Sequence, residues 1–197
     1  MEKLLENLLE SVPRARILRM FMQNPEDFFT LEEIIRKNQV SARAARLEVQ
    51  KFLKLDIIKG RRAQDKTRKK NGDKYTTNME FPLFVELQAF VVKSSVASRK
   101  DIMMRVKRLG RVRLLVLSGL FTQTDEKART DLLIVGDAIS KKKMDHLLLH
   151  LESELGRTVR YTLMETDEFK YRMNMYDRFL RDILEFPHEK LINRLIN

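Results

Sequence analysis

The sequence predicts an α+β protein of two domains that a helical connector joins. Residues 1–80 combine amphipathic helical segments with one basic hairpin, and residues 111–197 alternate short apolar strands with amphipathic helices. Residues 81–110 read as mostly helical and could also form a dimer surface. The length of 197 residues fits one large or two small domains, and a hydrophobic content of 43% predicts a substantial core.

The chain is strongly basic, with 39 Lys and Arg against 28 Asp and Glu and a net charge of +11. This balance favours an anionic partner, and nucleic acid is the leading class. No apolar run reaches the length of a bilayer span, and the N-terminus lacks a signal-peptide pattern. We therefore expect a cytoplasmic protein with no membrane partner. The absence of cysteine excludes disulfides and thiolate metal sites.

Three helices and a hairpin are predicted in residues 1–80. Pro13 suits the first turn of a helix over 12–24, and Thr30 with Glu33 forms a capping-box pattern for the second helix. Ser41 begins the third helix, whose apolar residues recur at helical spacing. The apolar face that we expect to point inward comprises Ala45, Val49, Phe52 and Leu53.

The outer face of the third helix carries Arg43, Arg46 and Gln50. Arginine pairs bidentately with guanine and glutamine with adenine, so these residues suit a recognition helix in the major groove. A solvated basic helix face is the plainer alternative. The hairpin that follows favours the first interpretation.

The segment 59–74 carries eight positive and two negative residues, a net charge of +6. Folding does not need this concentration of like charges, whereas a phosphate backbone would neutralise it. A solubilising loop is the alternative. The predicted DNA-binding residues are Ser41, Arg43, Arg46, Gln50, Arg61, Arg62, Lys66, Arg68, Lys69, Lys70 and Lys74.

Two stretches of the chain resemble the winged helix-turn-helix of arsenical-repressor-type transcriptional regulators. They are ARILRMFMQNPEDFFTLEEIIRKNQVSARAARLEVQKFLKLDIIK and DKYTTN. The resemblance covers roughly the first 80 residues. It implies binding to double-stranded DNA as a homodimer. The metal-sensing members use cysteines, which this chain lacks.

Residues 111–197 predict a small α/β layer. Short buried strands are expected at 113–118 and 130–135, with a third over 159–164. An amphipathic helix over 141–155 precedes the third strand, and a final long helix over 168–184 follows it.

The stretch SGLFTQTDEKARTDLLIVGD resembles the minimal nucleotidyltransferase domain found behind winged helices. That family places a Gly-Ser turn before an Asp-x-Asp pair, with a third carboxylate on a later strand. Here Ser118 and Gly119 reverse the turn, Asp131 matches the second acid, and Arg129 and Arg160 occupy the other acidic positions. The resemblance therefore implies a degenerate domain without Mg²⁺, nucleotide or catalytic residues, in which Ser118, Gly119 and Asp131 are vestigial.

Asp131 has two further interpretations. It pairs with Arg129 or Arg160 as a structural carboxylate or caps a turn, or the two arginines leave a pocket that binds an anion such as a nucleotide. The preceding loop contains Asp125 and Glu126, whose position is poorly suited to replace the missing ligands.

The pair His146 and His150 lies at a spacing that could bind zinc. Both residues fall off the apolar stripe of their helix, so we expect solvent-facing histidines and no metal site.

The favoured function is a sequence-specific DNA-binding regulator whose second domain is a scaffold, dimerisation module or ligand sensor. A nucleotidyltransferase acting on RNA or protein, and an antitoxin-like module with a protein partner, remain as alternatives.

Overall fold

The computed structural model describes residues 4–61, 73–94, 98–122 and 128–196. These residues form a mixed α+β protein with two separate β-sheets. Within the described ranges, no helix is both long enough and apolar enough to cross a membrane.

Contacts between residues divide the chain into two compact units. Unit 1 comprises Met1–Val96 together with Leu149–Thr158, and unit 2 comprises Ala97–Leu148 together with Val159–Asn197. Each unit contains buried hydrophobic clusters of its own elements. The predicted connector over 81–110 contains two helices, of which one falls in unit 1 and the other in unit 2.

The helices of unit 1 begin at polar caps. The hydroxyls of Ser11, Thr30 and Ser41 each accept a hydrogen bond from a backbone N–H of the first turn, as helix N-termini require. The caps and starts predicted at Thr30 and Ser41 are confirmed. The helices are α1 (Leu4–Leu8), α2 (Val12–Gln23), α3 (Leu31–Asn38), α4 (Ala42–Lys54) and α5 (Phe84–Ser94).

A three-stranded antiparallel sheet completes this part of unit 1. It consists of β1 (Phe29–Thr30), β2 (Ile58–Arg61) and β3 (Lys74–Thr77), in the order β1-β3-β2. The base of the predicted hairpin is confirmed by the pairing of β2 with β3. The two-residue strand β1 was not predicted, because two residues show no alternation in sequence.

The core of unit 1 lies between α2, α3, α4 and the sheet. Phe21 is fully buried and meets the ring of Phe29 edge to face, with ring centroids 5.7 Å apart. Ile34 of α3 and Phe52 of α4 are buried in the same cluster. These contacts fix the orientation of α4, so that its opposite face is exposed.

Unit 2 is built on a four-stranded sheet of order β6-β5-β4-β7. The strands β5 and β6 are parallel, and the other two pairings are antiparallel. Apolar residues of β4 and β5 pack with those of two later helices. The elements that fall wholly in unit 2 are α6 (Arg99–Val106), β4 (Arg111–Leu117), β5 (Leu132–Asp137), β6 (Tyr161–Met164), α8 (Thr166–Asn174), α9 (Arg178–Glu185) and β7 (Glu189–Asn193). The helix α7 (Lys141–Leu155) is divided between the units, because its residues from Leu149 onward belong to unit 1.

One expectation about the end of the chain was wrong, and one strand there was not predicted. The long helix over 168–184 is divided into α8 and α9, because Tyr176 takes a left-handed conformation with φ of +52° and Asp177 caps a new helix. The strand β7 was missed. Of its residues only Ile192 is buried, so the segment has no apolar alternation that would predict a strand.

Candidate nucleic-acid interface and the buried carboxylate

A tight turn joins α3 to α4. Gln39 ends α3 in the left-handed conformation, with φ of +51°, and Ser41 begins α4. The Ser41 hydroxyl accepts a hydrogen bond from the Ala44 amide at 3.2 Å. Ser41, which the sequence predicts as a DNA contact, thus also has a structural role as the helix cap.

The capping box that starts α3 is charged. The Thr30 amide donates to the Glu33 carboxylate at 2.8 Å, and this hydrogen bond holds the pKa of Glu33 below its ordinary value. A carboxylate at this position also complements the positive end of the helix dipole. The start of α3 is therefore fixed before the turn that leads into α4.

A partly buried ion pair joins α4 to α2 on the inner side of α4. The Glu48 side chain is only 5% exposed, and it accepts hydrogen bonds from Nε of Arg14 on α2 at 2.8 Å and from Nη2 at 3.3 Å. Lys51 contacts the same carboxylate at 3.3 Å. Burial by itself would raise the pKa of Glu48, but the hydrogen bonds and charges of Arg14 and Lys51 outweigh it and lower the pKa. Sequence reasoning missed this pair, because the two residues are 34 positions apart.

The opposite face of α4 exposes the residues predicted to read bases. Arg43, Arg46 and Gln50 are all exposed, and in the described part of the chain neither arginine forms an ion pair. Leu47 lies among them with 52% of its surface exposed. The face therefore offers two guanidinium groups, one amide and one apolar side chain, which are the groups that contact base edges and thymine methyls.

Leu47 was not singled out from the sequence. The sequence does indicate an exposed apolar side chain here, because Leu47 is a large apolar residue outside the inward stripe of Ala45, Val49 and Phe52. An exposed leucine on its own is ordinary. Its place on the same exposed helix face as Arg43 and Arg46 is what makes it notable.

Cationic residues flank the base of the hairpin. Arg61, the last residue of β2, is paired in register with Lys74, the first of β3, and both are exposed. Lys59, counted with this basic segment, forms an ion pair with Glu80, so its charge is already offset. The remaining predicted contacts, Arg62, Lys66, Arg68, Lys69 and Lys70, lie outside the described residues.

Asp131 in unit 2 is completely buried and fully hydrogen-bonded. Its Oδ1 accepts from the Leu120 amide and from Nη2 of Arg160, both at 3.0 Å. Its Oδ2 accepts from the Arg160 amide at 2.9 Å and from Nε of Arg160 at 3.1 Å. The predicted pairing of Asp131 with Arg160 is confirmed, and the cap on a backbone turn is present as well.

The turn after β4 is closed tightly over this carboxylate. Gly119 has φ of +53°, and a Cβ placed there would lie 2.1 Å from Asp131 Oδ1. The Ser118 hydroxyl donates to the Thr130 carbonyl. Both carboxylate oxygens are thus held by a cation and by amides, and these residues do not fit a magnesium ion, which requires free anionic oxygens.

Arg129 and Arg160 are held by different carboxylates. Nε of Arg129 donates to Asp182 of α9 at 2.6 Å, while Arg160 is held by Asp131. Both arginines that the sequence predicts as anion-binding are therefore engaged by carboxylates. The loop acids Asp125 and Glu126 lie outside the described residues.

The two histidines of α7 differ from each other. His146 is exposed, as expected. The expectation for His150 was wrong, since its side chain is only 16% exposed and its Nε2 lies 3.1 Å from Glu154 one turn later. Helix surface pairs at this spacing are common, but the sequence did not indicate the burial of His150.

Comparison of the chain with protein-family models, with curated proteins and with solved structures finds no match.

Proposed function

We propose that the protein is a sequence-specific DNA-binding regulator of transcription, and that α2, α3, α4 and the hairpin form a winged helix-turn-helix. The observation that carries this proposal is the outer face of α4, where Arg43, Arg46 and Gln50 are exposed and the arginines are unpaired within the described ranges. The order of helices and the three-stranded antiparallel sheet support the assignment.

In this proposal α4 enters the major groove. Its arginines pair with guanine, Gln50 pairs with adenine, and Leu47 contacts thymine methyl groups. The buried pair of Arg14 and Glu48 keeps this face directed outward by fixing α4 against α2. A recognition helix held in this way loses little conformational freedom when it binds.

The hairpin supplies the phosphate contacts. Arg61 and Lys74 lie at its base, and the sequence between them adds five basic residues, Arg62, Lys66, Arg68, Lys69 and Lys70. Such contacts give affinity and orientation without sequence preference, and they release counterions. We propose that the regulator binds as a homodimer in the cytoplasm, since regulators of this type commonly recognise two half-sites.

Unit 2 has a non-catalytic role in this proposal. The contacts of Asp131 with Arg160 and with backbone amides support a structural carboxylate rather than a metal ligand. A nucleotidyltransferase would need at least one further carboxylate beside it to hold magnesium. Scaffold, dimerisation and ligand sensing are the roles left for this unit.

The test combines selection of a preferred DNA site with mobility-shift titration. We expect Arg46→Ala to weaken binding to the selected site by about tenfold to a hundredfold and to relax base preference, because a bidentate base contact contributes about 1–3 kcal/mol. Lys69→Gln with Lys70→Gln should weaken binding to all sequences and reduce the slope of affinity against salt by about two.

The control for this experiment is Arg178→Ala, which removes an exposed arginine of unit 2. Unchanged affinity in both test variants would overturn the proposal.

A second assay incubates the protein with labelled nucleotide and Mg²⁺, and label transfer that Asp131→Asn abolishes would establish the enzymatic alternative. Co-purification of a stoichiometric protein partner, with no affinity for DNA, would establish the antitoxin-like alternative.

A further inference from the structure

A cationic cavity of about 310 Å³ lies in unit 2 where β4 begins and β7 ends. Two apolar residues, Val112 and Ile192, form part of its wall together with Gly110. The cavity is otherwise lined by four basic side chains, Lys107, Arg111, Arg113 and Arg194.

The fold brings these four residues together from three segments. Lys107 follows α6, Arg111 and Arg113 are on β4, and Arg194 follows β7. The Arg194 amide donates to the Arg113 carbonyl at 2.9 Å, which holds the two residues side by side. The pairing of β4 with β5 is irregular between Val112 and Leu114, so Arg113 is the extra residue of a β-bulge. Bulges often redirect a side chain near a binding site.

A glycine allows the turn before β4 to pack closely against a neighbouring segment. A Cβ at Gly110 would lie 2.4 Å from the Ala138 carbonyl oxygen, so a larger residue would displace the start of β4. The turn between α6 and β4 is thus pressed against the segment after β5. Lys107 and Arg111 flank this turn, since Lys107 follows α6 and Arg111 begins β4.

Among the residues that the structure describes, no carboxylate lies within ion-pair distance of these four cations. All four residues are exposed. The carboxylate of Asp137 accepts hydrogen bonds from the Thr166 hydroxyl at 2.9 Å and the Thr166 amide at 3.2 Å. These bonds are the main reason that the pKa of Asp137 is lowered, and the charges of Arg111 and Arg113 lower it further. Four like charges around one cavity repel one another, and a bound anion would relieve that repulsion.

This cavity is separate from the site around Asp131. Ser118 follows the other end of β4, and a strand of seven residues spans about 20 Å. The arginines at that other end, Arg129 and Arg160, are neutralised by Asp182 and Asp131. The cationic cavity therefore lies at the end of β4 that the vestigial motif does not reach.

We propose that this cavity binds the phosphate groups of a small ligand that carries at least two linked phosphates. Three guanidinium groups and one ammonium group match a polyphosphate better than a single phosphate, because each guanidinium can donate two parallel hydrogen bonds. The volume is at the lower end of the range for small-molecule sites. Val112 and Ile192 provide an apolar wall for the rest of such a ligand. In this proposal unit 2 binds a small polyphosphate ligand, which is a function separate from DNA binding.

The test is titration calorimetry of the full chain without DNA, with inorganic pyrophosphate and orthophosphate as probes. We expect one saturable site that binds pyrophosphate about tenfold more tightly than orthophosphate. Arg111→Gln with Arg113→Gln should weaken pyrophosphate binding by at least about tenfold. Arg113→Lys keeps the charge but loses the planar fork, so it should weaken binding by a smaller factor.

The matched control is Lys170→Gln with Arg178→Gln. It removes the same number of positive charges, two, from exposed positions of α8 and α9. An absence of saturable binding would overturn the proposal, and so would equal weakening in the control and the cavity variant. If the cavity variant binds pyrophosphate normally but loses affinity for DNA, the surface is a DNA contact and the proposal fails. Should the double variant fail to fold, Arg113→Lys alone gives the comparison. DNA affinity of the cavity variant is measured separately by mobility shift. Because the calorimetric titration itself contains no DNA, its outcome is independent of the regulator proposal.

Discussion

The arginines of α4 and the arginine beside Asp131 represent opposite uses of one residue type. Arg43 and Arg46 extend from an exposed helix face without an ion pair in the described part of the chain. Arg160 instead places its fork on a carboxylate that is completely buried. The first arrangement leaves charge available to a partner, and the second uses charge to hold the protein together.

The difference follows from what surrounds each group. An exposed guanidinium remains solvated, so its lack of a partner costs the protein little free energy. A buried carboxylate without a partner is strongly destabilising, because burial removes its water. Arginines that can be deleted without loss of stability are therefore the better candidates for function, and substitution can test this.

The largest expected effect is at Arg160. Substitution Arg160→Met leaves Asp131 buried with only backbone donors, and we expect the free energy of unfolding to fall by about 3 kcal/mol. This value is at the low end for a broken buried pair, because the Arg160 side chain is 46% exposed and screened by solvent. Urea unfolding followed by circular dichroism measures it. The control Arg129→Met breaks the more exposed pair with Asp182 and should cost less than about 1 kcal/mol. Equal losses in the two variants would contradict the structural assignment of Asp131.

An intermediate effect is expected at Arg14, which contacts the helix that exposes Arg43, Arg46 and Gln50. Arg14→Met should lower the free energy of unfolding by about 2 kcal/mol at about pH 7, because Glu48 loses two hydrogen bonds in a buried setting. The same urea assay applies. The control Arg16→Met removes a neighbouring arginine of α2 whose side chain donates to the Asn38 carbonyl rather than to an acid.

The sign of the pH dependence distinguishes this pair from a packing effect. The pKa of Glu48 is lowered in the folded protein, so its stabilising contribution is complete above its unfolded pKa of about 4.3 and is lost as the pH falls through the folded value. Arg14→Met removes the main opposing influence on burial and raises this pKa. The variant should therefore lose less stability than the parent between about pH 6 and about pH 3.5. Parallel pH profiles would show that Arg14 acts through packing alone.

The smallest expected effect on stability is on the outer face of α4. Arg43→Met with Arg46→Met should change the free energy of unfolding by less than about 0.5 kcal/mol, because the two side chains are exposed and unpaired within the described ranges. We expect Arg160→Met to cause the largest loss in the free energy of unfolding and this double variant to cause the smallest. A loss above about 1 kcal/mol would mean that these arginines are structural and would weaken their assignment to DNA.

Local features of the structure were largely predictable. The caps at Thr30 and Ser41 and the bounds of α7 follow from side chains within a few positions of one another. The exposure of Arg43, Arg46 and Gln50 also follows, because apolar periodicity assigns the inward face of α4 and leaves these residues outside it.

Features that depend on distant residues were not predictable. Glu48 reads as a surface acid until α2 brings Arg14 to it. The cationic cavity was missed although its signal, the basic run KRLGRVR over 107–113, is plain in the sequence. Without the bulge at Arg113 and the arrival of Arg194 beside it, that run is merely a basic turn.

By itself, the sequence determined where α2, α3, α4 and α7 begin and which face of α4 points outward, and its net charge predicts an anionic partner. Those properties arise from spacing, caps and net charge, which act over a few residues or over the whole chain without regard to its path. Tertiary structure decided which charges are paired. Arg160 is committed to Asp131 and Arg14 to Glu48, whereas Arg111 and Arg113 have no carboxylate in ion-pair range in the described part of the chain. The physical reason is that an ion pair depends on a separation of a few ångströms, and only the folded chain sets that separation.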